Sequence, residues 1–142
     1  MRSSPAHLFA LVGGAVYILA GIIGFAITGV TGFAENSDKA LLVFDLNPFH
    51  NVVHIGIGAL LVGASRVKGP DVTAGMVIGS GIVLLLATAL GVLGALDNLL
   101  SIDDRFAADN FLHLGTAIAA IAIGSLPGES VSRDRDNAIR AT

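Results

Sequence analysis

Three histidines and one aspartate in this chain stand at the spacing that gathers ligands on a helix. His50 and His54 are four apart in NPFHNVVHIG (residues 47–56), and Asp109 and His113 are four apart in DNFLHLG (residues 109–115). Residues separated by four share a helix face, so each stretch can offer two groups to one ligand. Asn51 and Asn110 each precede their histidine by three and lie close to the same face. Three imidazoles and a carboxylate suit zinc, iron, manganese or copper, and a histidine pair at i and i+4 is a familiar half-site for a metal. The asparagines would then orient the ligands. His54 and His113 alone could be the two axial ligands of haem b, although no arginine stands nearby to meet its propionates. Asp109 and His113 could also relay a proton, but no charged residue extends that path into the other half of any segment.

The two stretches are copies. Leu41-Leu42-Val43-Phe44-Asp45 precedes Asn51-Val52-Val53-His54-Ile55-Gly56, and Leu99-Leu100-Ser101-Ile102-Asp103 precedes Asn110-Phe111-Leu112-His113-Leu114-Gly115. The shared pattern is LLx[FI]D, a spacer of five or six residues, then NxxH[IL]G. In this register His50 aligns with Asp109. A pattern that returns in this way is an internal repeat.

The elements that must hold these groups are strongly apolar. Of 142 residues, 54% are hydrophobic and 13% charged, and the mean hydropathy is +0.80. A soluble domain carries about 25% charged residues, so this chain lacks the polar groups to clothe a water-facing surface. A net charge of -3 with no basic patch excludes a nucleic-acid partner. With no cysteine there is no disulfide, thiolate nucleophile or zinc finger. No nucleophile–base set, phosphate loop or dinucleotide fingerprint stands out, so an enzyme is not expected.

Four apolar segments, at about 7–32, 48–65, 72–96 and 106–126, approach the roughly 20 residues a helix needs to cross a bilayer. The expected fold is all-α: an integral membrane four-helix bundle over residues 1–126, made of two parallel helical-hairpin repeats, with 127–142 a polar, disordered cytoplasmic tail. The first segment is longer than the 7–15 apolar residues of a signal peptide, so cleavage near Gly32-Phe33-Ala34 is not expected. Arg2, Arg66, Lys68, Arg133, Arg135 and Arg140 fall on one side of this topology and only Lys39 and Arg105 on the other. The positive-inside rule makes both termini cytoplasmic. Asn47 followed by Pro48 is a capped helix start. It puts the histidine motifs near the outer face.

Glycines on the first segment (Gly13, Gly14, Gly21, Gly24), the second (Gly56, Gly58, Gly63), the third (Gly75, Gly79, Gly81) and the fourth (Gly115) suggest close helix packing. The first and third segments echo each other through Gly21-Ile22-Ile23-Gly24 and Gly91-Val92-Leu93-Gly94. The outer pieces Leu41–Phe44 and Leu99–Ile102 would cover the polar groups from outside. His7 is an interfacial histidine.

The residues Asn47, Pro48, His50, Asn51 and His54, with Asp109, Asn110, Leu112, His113 and Leu114, in a small glycine-rich four-helix chain resemble the actinobacterial membrane family called domain of unknown function 4383. The resemblance covers about residues 5–126. It implies this topology and a plasma-membrane location, and brings no activity.

The expectation is therefore a multi-pass plasma-membrane protein, structural or accessory to a membrane complex. His50, Asn51, His54, Asp109, Asn110 and His113 form one polar cluster, with the asparagines bonding across the helix pair. Its partners are the bilayer and another membrane protein or a second copy of itself. No cofactor is needed on this reading. The alternatives are a transition metal on His50, His54, Asp109 and His113, and then haem b.

Overall fold

The computed structural model describes residues 4–126, and these residues are mostly helical, with five helices and one short strand pair. The expected tail at 127–142 lies outside the described residues. Helix α1 (Pro5–Thr28) opens on Ser4, whose hydroxyl accepts the His7 N–H, with Pro5 at the first helical position. It closes at Gly29, whose φ of 67° suits a residue without a Cβ. Lys39 Nζ donates to the Thr28 carbonyl at 2.9 Å, a cation where the helix dipole is negative. The strands β1 (Ala40–Leu41) and β2 (Phe44–Asp45) pair antiparallel, with Ala40 opposite Asp45. Helix α2 (Pro48–Ala64) starts on Asn47, whose Oδ1 accepts the His50 N–H at 2.8 Å. Helix α3 is Pro70–Val92, α4 is the single turn Asp97–Leu100, and α5 is Ala108–Gly124.

These boundaries correct the expected segments. The first helix ends four residues early, and the third stops at Val92 rather than Leu96 because the chain turns at Gly94, φ 74°. The fourth begins at Ala108, two residues after Phe106. The strand pair and α4 both fall in the LLx[FI]D pieces and were not expected. Among the described residues two helices, α1 and α3, are long and apolar enough to cross a membrane. With 17 residues each, α2 and α5 span about 25 Å at 1.5 Å per residue.

Successive long helices run antiparallel. Helix α1 packs along α2, and α3 along α5. Ala6, Ala10, Leu61, Ala64, Val77 and Ala120 bring all four together in one core. The close approaches are made by glycine. A Cβ on Gly14 would meet the Gly58 carbonyl and Val62 at 2.8 Å, and one on Gly81 would meet the Ala117 carbonyl at 3.0 Å and Ile121 at 2.9 Å. Not every glycine expected in the packing takes part: Gly56, Gly63, Gly75, Gly79 and Gly115 have nothing within 4 Å of an added Cβ. The close approaches fall to Gly14, Gly21, Gly24, Gly58, Gly81, Gly91 and Gly124. At the end holding Ser4, His7 Nδ1 lies 2.8 Å from Ser4 Oγ, and its Nε2 lies 3.3 Å from Thr73 Oγ1. His7 thus joins the start of α1 to the start of α3.

Gly14→Ala must push two backbones apart, so it is expected to cost about 1–3 kcal/mol, the scale of overpacking. Gly75→Ala meets open space and should be neutral or stabilising by up to about 1 kcal/mol through helix propensity. Thermal midpoints of both variants in mild detergent check the contrast.

Candidate metal centre

The site is built at the ends of α2 and α5 that follow the two LLx[FI]D pieces. Asn51 comes first, because it sets how closely α1 and α2 approach. A Cβ on Gly24 would fall on its side-chain amide, and its Nδ2 donates to Thr28 Oγ1 at 2.9 Å. Asn110 does the same for the other pair: its amide fills the notch at Gly91, and its Nδ2 donates to the Asp104 and Arg105 carbonyls, each at 3.2 Å. The asparagines therefore do not bond to each other across α2 and α5, contrary to expectation. Each is spent on its own helix pair and loop. The pairing of Gly24 with Gly91 also corrects the echo drawn between Gly21–Gly24 and Gly91–Gly94: Gly94 lies beyond the end of α3, with open space around it.

With the asparagines turned to the notches, the histidines face one another. The His50 and His54 ring centroids are 4.4 Å apart, His50 and His113 6.0 Å, and His54 and His113 6.5 Å. One ligand nitrogen from each lies within 4.8 Å of the others. Nitrogens around a tetrahedral zinc at about 2.05 Å sit about 3.3 Å apart, so modest side-chain rotation closes the triad on an ion. Asp109 Oδ1 stands 3.9 Å from His50 Nε2. All four residues are buried.

Their polar atoms are poorly satisfied. His50 Nδ1 lies 3.2 Å from the Asp45 carbonyl, which can only accept. The proton therefore sits on Nδ1 and the Nε2 lone pair turns to the cluster, the arrangement common to metal-bound histidines. His50 Nε2, both ring nitrogens of His54 and His113 Nδ1 have no hydrogen-bond partner among the described residues. Both Asp109 oxygens also lack a bond of good geometry, although the amides of Asp45 and of Asp109 itself are near. Each unsatisfied buried group costs about 1–3 kcal/mol, and a cluster of lone pairs is relieved by a cation.

The covering layer is asymmetric. Leu100 and Ile102 are buried with Leu96 beside Phe49 and Val53, so the second outer piece does cover this end. Of the first piece, Leu42 is 85% exposed and Val43 68%, because the hairpin turn, with Leu42 at φ 61°, carries them outward. Ser101 Oγ donates to the Ser37 carbonyl at 3.0 Å and accepts the Ser37 N–H at 2.9 Å. The Asp45 carboxyl is held above the usual range by partial burial and then by the charge of Asp103.

The scan against known families matches one over residues 7–126, described as "Domain of unknown function (DUF4383)". The chain belongs to that family. No curated protein and no solved structure matches the chain. The DUF4383 match takes in both histidine motifs and all five helices except the first two residues of α1.

Two residues of this DUF4383 chain matter more than their sequence context suggests. Tyr17 sets its ring edge-on to His54, with centroids 5.3 Å apart and an interplanar angle of 83°. A lone tyrosine in an apolar helix gave no signal beyond its rarity. Asn47, read as a cap and as part of the family motif, is fully buried, and its Nδ2 donates to the carbonyls of Glu35 (3.1 Å), Asn98 (3.0 Å) and Leu99 (3.2 Å). Asn47→Ala removes the cap and the tie between both loops. It is expected to cost at least about 2 kcal/mol and to raise the reactivity of the site histidines towards a water-soluble imidazole reagent. Thermal unfolding and the rate of histidine modification check this.

Proposed function

We propose that this protein is a multi-pass, four-helix membrane protein that holds one transition-metal ion on His50, His54 and His113, with Asp109 as fourth ligand or as partner to a bound water. The single observation that carries the metal reading is the convergence of three buried imidazoles, four of whose ring nitrogens have no hydrogen-bond partner among the described residues. A purely structural network would have spent those nitrogens on hydrogen bonds. The His50 ring lies 4.4 Å from His54 and 6.0 Å from His113, in the space a macrocycle between those two would need, which favours a small ion over haem. Nitrogen and carboxylate donors without sulfur fit zinc, copper(II), iron or manganese.

Several features support the membrane placement. The interior is small or polar at Gly14, Gly24, Asn51, Thr73 and Asn110, whereas Leu8, Val16, Leu19, Ile82, Val83 and Leu86 point outward, each more than half exposed. That inverts the usual soluble distribution and matches helices packed in lipid. Lysine and arginine distribution supports cytoplasmic termini and a centre near the outer face of the plasma membrane. Two parallel hairpin repeats account for the paired contacts: Gly14 on Gly58 and Val62 corresponds to Gly81 on Ala117 and Ile121, and Gly24 on Asn51 to Gly91 on Asn110.

The test is elemental analysis of protein purified in mild detergent without a metal-affinity tag. Wild type should carry about one metal per chain, and His54→Ala and His113→Ala should carry none. Asp109→Asn should weaken binding by roughly 10–100-fold. Affinity should fall as the pH is lowered, because protons compete for the imidazoles. A wild type that is metal-free as purified, and whose thermal midpoint ignores added Zn2+, Cu2+, Fe2+ and Mn2+, overturns the metal reading. Complete release from membranes by alkaline carbonate overturns the membrane reading.

A further inference from the structure

The loops over the histidine cluster are acidic. Residues 29–47 and 93–107 carry Glu35, Asp38, Asp45, Asp97, Asp103 and Asp104, against Lys39 and Arg105. Lys39 spends its Nζ on the Thr28 carbonyl at 2.9 Å. Among the described residues no lysine or arginine pairs with any of these carboxylates, and the pair found at this end is His50 with Asp109. The field here therefore draws cations.

Acidic residues at a surface are common, and the field alone assigns nothing. Asp45 and Asp103 differ from the others in what lies beneath them. Asp45 sits on the cluster itself: its carbonyl is 3.2 Å from His50 Nδ1, and its N–H lies by the Asp109 carboxyl. The Asp45 side chain is half-buried. Its charge acts on Asp109 on one side and feels that of Asp103 on the other. Asp103 is exposed, with one oxygen 3.5 Å from Asn36 Nδ2. Asp109 is 1% exposed, and neither of its oxygens has a hydrogen bond of good geometry. Its Oδ1 stands 3.9 Å from His50 Nε2. Three carboxylates thus follow one another from water to the imidazoles. An ion that loses its hydration along this line meets an opposite charge at each level, which offsets the cost of burying it. The cleft between α1 and α5, lined by Phe9, Gly13, Tyr17, Leu112 and Thr116 beside His54, offers a cation no charged group.

We propose that Asp103 and Asp45 capture a divalent cation from water and pass it to Asp109 and His50, so that the metal enters through the loops and not from the bilayer. The proposal rests on the metal reading of the cluster, and it concerns residues that are not ligands of the settled ion. Asp45 and Asp103 govern how fast metal is loaded, whereas the three histidines govern how much is held.

Tyr17 reports the loading. It is the sole tyrosine, there is no tryptophan, and its ring lies 5.3 Å from that of His54, close enough for bound Cu2+ to quench its emission. Metal-free full-length protein in nanodiscs of uncharged lipid is mixed rapidly with Cu2+, and the copper retained after desalting is counted. Wild type should quench at a rate proportional to the copper concentration. At about 10 mM salt, Asp45→Asn and Asp103→Asn should each slow the second-order rate, and together by at least about tenfold, the low end of electrostatic steering. Copper per chain should stay unchanged. Asp38→Asn removes the same charge from the same loops but not from the line, and should slow loading less than about twofold on that scale. Raising the salt to about 1 M shortens the screening length from about 30 Å to about 3 Å and should slow wild type at least about tenfold. An unchanged rate in the double variant, or equal slowing by Asp38→Asn, overturns the route. A wild-type rate that ignores salt or copper concentration overturns it too, even if the variants fail to fold. A wild type that is neither quenched nor retains copper is a different failure, that of the metal reading, and it takes the route with it.

Discussion

The structure turns on two asparagines lodged in glycine notches. At Gly24 and at Gly91 the absence of a Cβ lets a side-chain amide lie against a helix backbone. A carboxamide inside an apolar core is costly unless it is bonded. Here one donor reaches Thr28 Oγ1 and the other reaches two carbonyls at the entrance to α5. The notch therefore fixes the depth at which each helix slides along its neighbour, to about one residue. Apolar contacts alone are non-directional and would leave that depth loosely specified.

Everything at the candidate centre follows from that register. Each histidine stands three residues after its asparagine, so fixing Asn51 and Asn110 fixes His54 and His113 at one level. His50 and Asp109, four residues before the histidines, are raised by the same rotation to face each other at 3.9 Å. The loops add a second constraint. Asn47 ties Glu35 to Asn98 and Leu99, and Ser101 ties itself to Ser37, so the two connections at this end form one cover. Its apolar underside is Leu96, Leu100 and Ile102. A cover that excludes water strengthens any electrostatic interaction beneath it. It also forbids bare lone pairs there, which is why the unsatisfied nitrogens carry weight.

Much of this was legible in the sequence, where the chemistry is local. Asn47-Pro48 marks a helix start by capping alone, and α2 begins there. The NxxH spacing identifies residues that share a face without any knowledge of the neighbour. What was not legible depends on partners. Leu93–Leu96 is as apolar as the helix before it, yet the chain leaves the helix at Gly94, and nothing in the hydropathy marks the exit. The Gly21–Gly24 and Gly91–Gly94 echo misled because glycine spacing recurs by composition; only the asparagine in each notch tells which glycines correspond. The asparagines' own partners were misjudged for a related reason. The second spacer is one residue longer, and that residue turns the Asp104 and Arg105 carbonyls towards Asn110, where the first copy offers a threonine hydroxyl. Tyr17 belongs to no motif, so only the fold could bring it to His54.

The proposed duplication explains the scaffold, and its departures from symmetry explain the chemistry. Two identical halves would set a histidine against a histidine at the level of His50, giving a centre of four neutral imidazoles with no charge to balance a divalent ion. With Asp109 in place of that histidine, the cluster has three imidazoles and a carboxylate, and on the proposed metal reading that carboxylate would offset half of the charge of a divalent ion. The second departure lies at Tyr17. The residue that corresponds to it when Gly24 is matched to Gly91 is Leu84, buried in the same cluster. The tyrosine sets its ring edge-on to His54, a contact that the leucine of the other half cannot make in the same way. The packing contacts of the two halves correspond, while the side chains differ both in the packing, as Gly58 against Ala117, and beside the cluster, as His50 against Asp109 and Tyr17 against Leu84. The packing thus accepts small differences between the halves, and the change from histidine to aspartate places a carboxylate 3.9 Å from His50 Nε2.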